Sequence, residues 1–435
     1  MSRRVVVTGR GVVSPLGIGL DAHWAAGLAG RSAIKLSPRL AAHGLPVALA
    51  AEIADEALAV PLGRFSRKQL KLCNRMTCFA MLAGSLAAEE ASLDPSSVDP
   101  TRFGTFLGTF FTALDLSPFL QLLGASESEP EPGRLDLAKA NAYCMTTVNP
   151  IDYSLKTIPN LSAGHLAIAH NAQGICRVVA DAPTGGLQAI AQAAWAIREG
   201  LIDMALAGGA EAPLDEMIFM NLCTLGFLAQ DGGAPEEACA PFDARRRGTV
   251  LGEGAGIVVL EELEHARARS ARVLGELLGS GVVGGDDSLY ETPDVDGIAR
   301  RLELAMARAL DVAEISEVDV IFANGDGTRE RDQAESIAVR ALFGSRADKI
   351  PLTAPKALHG HLMSAAGPVE LITCLRSLEQ GIIPPTLHSR HPDPLCDLDY
   401  VPNQPRIEPM MRRAMVNGIG LFGESASLVV GRGQD

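Results

Sequence analysis

The sequence predicts an α/β protein made of two similar halves, and three observations carry that expectation. Short valine-rich runs end on glycines, as in Arg4-Val-Val-Val-Thr-Gly-Arg-Gly11 and Met204-Ala-Leu-Ala-Gly-Gly-Ala-Glu211. Alanine-rich stretches with helical spacing lie between them. The order strand, glycine turn, helix, strand occurs over residues 177–213 and again over 318–361, which points to duplicated units with parallel sheets. With 435 residues the chain can bury one large two-part core, and its 44 glycines and 4% aromatic content suit close packing of small side chains. The halves are expected at residues 1–250 and 251–435.

In chain order, residues 4–14 read as a strand entering a glycine turn. Gly9 and Gly11 do not open a dinucleotide fingerprint, because Ser14 takes the third glycine's place and no helix pattern follows. Amphipathic helices are predicted over 21–28 and 68–93, the second with Ala and Met on its apolar face. Residues 102–112 form a glycine-punctuated strand that opens into a helix-like stretch, 113–123. There Leu114, Ser117 and Gln121 fall on one face. Residues 127–134 are a polar, proline-rich loop, and 415–432 a pair of strands around a glycine loop.

Lys and Arg total 38 against 52 Asp and Glu, a net charge of −14, which disfavours non-specific nucleic-acid binding. The arginines between 267 and 272 read as a solvated helix face. The eight cysteines form no C-x-x-C pair and no zinc-like cluster, so small buried thiols of a reducing compartment are expected, with no metal and no cofactor. No apolar run approaches membrane-spanning length, and the first residues enter a strand directly, leaving no room for a signal peptide. A cytoplasmic protein without a membrane partner is expected.

The stretch Arg177-Val-Val-Ala-Asp-Ala-Pro-Thr-Gly-Gly186 reads as a strand, a tight elbow and the start of a helix. A helix N-terminus at such an elbow suits a nucleophile, whose pKa it lowers and whose oxyanion it cradles. Pro183 stands there instead, with no titratable group and no N–H. Proline at the first turn of a helix is a comfortable structural residue.

Taken with Leu206-Ala-Gly-Gly-Ala-Glu211, Pro241-Phe-Asp-Ala-Arg-Arg-Arg-Gly248, Lys356-x-x-x-Gly360-His361 and Cys396-Asp-Leu-Asp-Tyr-Val401, the chain resembles the β-ketoacyl-acyl-carrier-protein synthases of the thiolase superfamily over nearly its whole length. The resemblance implies a five-layered α-β-α-β-α fold of two similar halves, a dimer, and a catalytic set of one cysteine, two histidines and a lysine. Pro183 takes the cysteine's place. The first histidine belongs to a His-Gly-Thr-x-Thr pattern with an aspartate eight residues on. Matched to Asn324-Gly-Asp-Gly-Thr-Arg-Glu-Arg-Asp332 with a loop two residues shorter, it falls on Asp326. His361 and Lys356 match the second histidine and the lysine.

Without thiolate or first imidazole, Claisen condensation has no acyl holder, and an aspartate would oppose a developing enolate. Cys176 lies seven residues before Pro183, roughly 23 Å along an extended strand at about 3.3 Å per residue, and reads as a core cysteine. Thr184 is adjacent but lacks an evident base. His361 and Lys356 are structural remnants on one reading and a binding pair for a carrier-borne group on the other.

Relatives that lack the cysteine are similar to chain-length factors, which usually carry glutamine there and pair with a catalytic ketosynthase in type II polyketide synthases. The resemblance implies that ketosynthase and a phosphopantetheine-bearing acyl carrier protein as partners, no catalytic residue in this chain, and Leu114, Ser117 and Gln121 along the partner's acyl tunnel. The alternative is an enzyme of altered chemistry, a malonyl-carrier decarboxylase or acyltransferase using His361 and Lys356. A third possibility is a carrier-binding or scaffold protein.

Overall fold

The computed structural model describes residues 3–433 apart from 95, 111–115, 130, 132, 148–155, 182, 231–232 and 289–290. Its main sheet is a continuous path of ten strands. Those of the N-terminal side are β1 (Val5–Ser14), β2 (Phe103–Thr109), β3 (Cys176–Ala180), β4 (Met204–Glu211) and β5 (Gly254–Glu262). Those of the C-terminal side are β6 (Gly275–Val283), β7 (Val320–Phe322), β8 (Leu352–Thr353), β9 (Arg413–Ile419) and β10 (Ser425–Arg432). The spatial order is β3-β2-β4-β5-β1 on one side and β8-β7-β9-β10-β6 on the other, joined where β1 and β6 pair antiparallel at Val6–Glu276 and Val7–Gly275.

The two sides therefore repeat one topology. In each, the first three strands of that order run parallel and the remaining pairings are antiparallel. The expectation of parallel sheets is corrected to mixed ones: the β4–β5 and β9–β10 pairs are antiparallel. The strand Gly254–Glu262, which a division at residue 250 would give to the C-terminal half, bonds to β4 and β1.

Six helices complete the layers: α1 (Arg75–Glu90), α2 (Asn160–Ala169), α3 (Gly185–Arg198), α4 (Val295–Ala313), α5 (Arg329–Phe343) and α6 (Ala366–Gln380). Helices α1 and α2 cover the outer face of the N-terminal strands, α4 the outer face of the C-terminal strands with α5 packed on it, and α3 and α6 touch strands of both sides. The result is the five-layered α-β-α-β-α arrangement. Its largest core lies between the sheets, where Leu187, Ile190, Ile197, Val369, Ile372 and Leu375 interdigitate.

The repeat also corrects the pairing of segments. By topology β3–α3–β4 corresponds to β8–α6–β9, whereas the sequence matched it to the segment containing β7, α5 and β8. A strand, glycine turn and helix occur at both places in each unit, so the pattern alone does not fix which copy matches which.

The predicted helix over 68–93 is broken. A single turn, Arg67–Leu70, is closed by the Ser66–Gln69 capping box, and α1 restarts where Asn74 Oδ1 accepts the Thr77 N–H at 2.8 Å. The stretch 113–123 gives a helix at Leu116–Ala125, followed after the 127–134 loop by another at Leu137–Thr146, N-capped by Asp136.

The glycines of β1 have a packing role. A Cβ on Gly11 would lie 1.8 Å from the Ala83 carbonyl oxygen and one on Gly9 2.1 Å from that of Ala87, both on α1. Gly279 and Gly281 on β6 meet Ala309 and Ala305 of α4 in the same way, at 2.0 Å each. Both sides also carry a register shift at that point, between Val7 and Gly9 and between Leu277 and Gly279.

Substituting Ala at Gly11 or Gly281 forces a methyl into backbone and is expected to destabilise the chain by ~1–3 kcal/mol or more. Gly124→Ala, in open space on an exposed helix, should be neutral or slightly stabilising. Denaturant unfolding of the three variants checks this; equal midpoints would refute the close-packing account.

Candidate functional site

The elbow forms where β3 ends and α3 begins. Pro183 is buried and Thr184 is the α3 N-cap residue in ordinary helical conformation, φ −82° and ψ −12°. Thr184 Oγ1 donates to the Asp181 carbonyl at 3.2 Å and accepts from Gln188 Nε2 at 3.0 Å, and the same amide donates to the Asp181 carboxylate. The only hydroxyl at the nucleophile's place is thus tied into a turn with an amide and a carboxylate. Cys176 is corrected from a core cysteine to an exposed one, because it begins the edge strand β3.

The C-terminal side brings its elements to the elbow through a short turn. The helical turn Lys356–His359 ends at Gly360, whose φ of +72° lets the chain reverse into His361. Residues 363–365 then press on the elbow: a Cβ at Gly186 would sit 2.1 Å from the Ser364 carbonyl oxygen.

His361 is wholly buried. Its Nδ1 accepts the Met363 N–H at 3.0 Å, which leaves the proton on Nε2, and Nε2 has no partner among the described residues. Burial, then the positive charges of Lys356 and Arg331, hold the imidazole well below its ordinary pKa, so it is neutral. Its ring centroid lies 5.9 Å from that of Phe227.

Lys356 is buried and fully engaged. Nζ donates to the Asn324 carbonyl at 2.6 Å and to Glu370 Oε1 at 2.8 Å. Asp326 is also buried, but its carboxylate turns back into its own loop: Oδ1 accepts Thr328 N–H and Oγ1 at 2.8 and 2.7 Å, and Oδ2 accepts from Asn324 Nδ2 at 3.3 Å. Asn324 Oδ1 accepts the Ile419 N–H at 3.1 Å.

Around these residues lie more carboxyls than cations. Asp332 accepts the N–H groups of Phe242, Asp326 and Gly327, and Glu335 those of Asn324 and Gly325 together with Asn417 Nδ2. Burial raises both pKa values, Asp332 with a further push from Asp326. Glu370 is raised by burial to about 7 despite Lys356. Sequence reasoning named Lys356 and His361 but missed Asn324, Glu335, Glu370 and Arg331. The first turn of α5 holds the signal, since three charged residues precede Asp332 where an apolar face is due.

Of the residues expected along a partner's tunnel, Leu114 lies outside the described residues, as does the side chain of Ser117, which is placed in the helix Leu116–Ala125. Gln121 is exposed on that helix. Among the described residues no His/Cys/Asp/Glu group is arranged to hold a metal ion, and no helix is long and apolar enough to cross a membrane.

Glu424, in the loop after β9, accepts the Phe422 N–H at 2.9 Å, and burial together with the Asp181 charge raises its pKa to about 7 from 4.5. Its folded pKa exceeds the unfolded one, so its contribution is whole below about 4.5 and is lost as pH rises through about 7. Glu424→Gln keeps the acceptor and cannot ionise. In urea unfolding across this range the variant should gain on the wild type as pH rises. The gap should grow by a few kcal/mol, since a tenfold change in proton affinity is worth about 1.4 kcal/mol. A gap independent of pH would show a carboxylate that ionises as it does in the unfolded chain.

Residues 2–266 match the family model of the beta-ketoacyl synthase N-terminal domain, and 274–390 that of the beta-ketoacyl synthase C-terminal domain. The putative polyketide beta-ketoacyl synthase 1 of Streptomyces halstedii is 35% identical over 99% of this chain and 98% of its own length. Nodulation protein E of Rhizobium meliloti strain 1021 is 34% identical over 98% and 99%. The solved ishigamide ketosynthase/chain length factor is 30% identical, covers 99% of this chain and 100% of its own, and superposes with a TM-score of 0.83. A type II polyketide synthase acyl-carrier protein in complex with its ketosynthase bound to the hexaketide gives 29% identity, full coverage of both chains and the same TM-score. The chain belongs to the β-ketoacyl synthase family and has its thiolase fold.

Proposed function

We propose that this chain is the non-catalytic, chain-length-determining partner of a catalytic ketosynthase in a type II polyketide synthase. The observation that carries the reading is Pro183, at the elbow of an otherwise intact fold. Polyketide synthase relatives and a ketosynthase/chain length factor among similar structures support the context.

The first histidine's place belongs to Asn324 rather than Asp326. Asn324 lies eight residues before Asp332 with no gap, and Asp326 then falls on the pattern's threonine. This replaces the argument that an aspartate repels an enolate. Asn324 Nδ2 donates to Asp326 and its Oδ1 accepts from Ile419, and an amide supplies no general base. Lys356, locked between Asn324 and Glu370, is not available as a working pair with His361, which weighs against the decarboxylase or acyltransferase alternative.

Exposed apolar surface supports a protein partner. Among the described residues the outer edge of β3 is unpaired, and Ile168 on the adjoining α2 is 76% exposed. The same β2–β3 crossover also exposes Phe119, Leu120, Leu137 and Met145. An unpaired strand edge and apolar side chains are what an obligate interface covers. Acyl carrier protein, with its phosphopantetheine-linked chain, would meet the catalytic subunit of that pair. Leu114, Ser117 and Gln121 would border the tunnel.

Co-expression with a ketosynthase that has an intact cysteine and both histidines tests the reading. A stable one-to-one complex is expected, and Leu114→Phe or Ser117→Phe should shorten its products. Turnover of malonyl- or acyl-carrier substrates by the purified chain alone, abolished by His361→Ala, would overturn it.

A further inference from the structure

We propose that Arg331 is a latch that seals the buried His361 imidazole from solvent. A depression of about 760 Å³ opens on the surface, lined among others by Phe227, Thr328, Arg329, Arg331 and Leu421. His361 does not line it. The floor is a stack: the Arg331 guanidinium lies over the Phe227 ring, 5.2 Å from its centroid, and Phe227 in turn neighbours the His361 ring.

The guanidinium is also tied across the floor. Nε donates to the Gly420 carbonyl at 3.3 Å and Nη2 to that of Leu421 at 3.2 Å, so the first turn of α5 is fastened to the loop after β9. Arg331 is only 6% and Leu421 only 4% exposed. A planar fork is well matched to such a position, because it stacks on an aromatic face and bonds two carbonyls at once. An ammonium or an aliphatic chain does not.

Behind the stack, His361 Nε2 is a buried donor with no acceptor among the described residues. Such a group costs ~1–3 kcal/mol when left unpaired. The latch therefore closes a place that still presents one free polar atom. A carrier arm entering it would find no nucleophile, and the seal leaves a partner's site as the productive one. That last consequence rests on the chain-length reading; the seal itself does not.

Diethylpyrocarbonate labelling of the full-length chain at neutral pH, mapped by peptide mass spectrometry, tests the latch. His43 and His391, with side chains 51% and 52% exposed, serve as accessible references, and buried His23 and His359 report the integrity of the fold. In the wild type His361 should be labelled far more slowly than His43 and His391. Arg331→Ala should speed its labelling about tenfold or more, as expected when a local closing contact is removed, with the other four unchanged. Wild-type labelling of His361 at the reference rate would overturn the proposal, as would continued protection in an intact Arg331→Ala chain. Where Arg331→Ala also exposes His23 and His359, Arg331→Met decides, because it keeps packing over Phe227 and loses both carbonyl bonds. Faster His361 labelling in that variant supports the latch and protection refutes it. Labelling is read on the single chain, so failure here leaves the co-expression result untouched.

Discussion

The Ser364 carbonyl sits where the two halves meet, and the molecule's centre depends on how closely other backbone approaches it. Any side chain at Gly186 or Gly209 would collide with it, at 2.1 and 2.2 Å, and a Cβ on Gly108 would strike the Gly186 backbone at 2.2 Å. The β2 strand, the start of α3, β4 and the 363–365 turn can converge only because these positions are glycine. That convergence holds the elbow against the segment bearing His361. It also explains how a chain with so few aromatic residues builds five layers: the sheets and helices close on backbone, alanine and aliphatic side chains.

The retained polar residues follow from the same geometry and need no catalytic explanation. Lys356 joins the Asn324 carbonyl to Glu370, and Glu335 collects two backbone N–H groups and the Asn417 amide. Removing one member of a buried ion pair strands the other and typically costs about 3–5 kcal/mol. A chain that lost its nucleophile would still hold this network in place, because the ends of β7 and β9 are tied through it. His361 differs. Its Nδ1 supports the turn at Met363, while Nε2 has no partner among the described residues. The lysine is thus explained as structure and only half of the histidine is.

Much of this was legible in the sequence. The valine-rich strand β1, the elbow at Pro183 and the strand pair β9–β10 lie close to where apolar runs and glycines put them. The helix α4 was not among the predicted elements, although Ile298, Leu302, Ala305, Met306 and Ala309 recur at helical spacing and are all buried. The break before α1 depended on Asn74, a capping residue that a sliding apolar pattern passes over. Asn324 and Asp326 show a different limit. Two residues of register decided which side chain stood at the histidine's place, and a degenerate motif no longer carries the histidine that would fix it. The charged first turn of α5 marks Arg331 as unusual, but its role depends on Phe227, Gly420 and Leu421, about ninety to a hundred residues away in sequence.

Pro183 then sets the direction of the remaining change. A nucleophile elbow stores backbone strain to aim one side chain, and strain persists only while the surroundings enforce it. Proline fixes φ near −65° and supplies no N–H, and the next residue, Thr184, takes an ordinary helical conformation. With nothing to aim, the turn can spend its polar groups on itself, as Thr184, Gln188 and Asp181 do. On the proposed reading the N-terminus of α3 keeps its dipole but faces no developing charge in this chain. On the same reading that loss is tolerable because the partner subunit supplies a working elbow, and what this chain must keep is shape: the sheet edge at β3, the helix at Leu116–Ala125, and a mouth held shut.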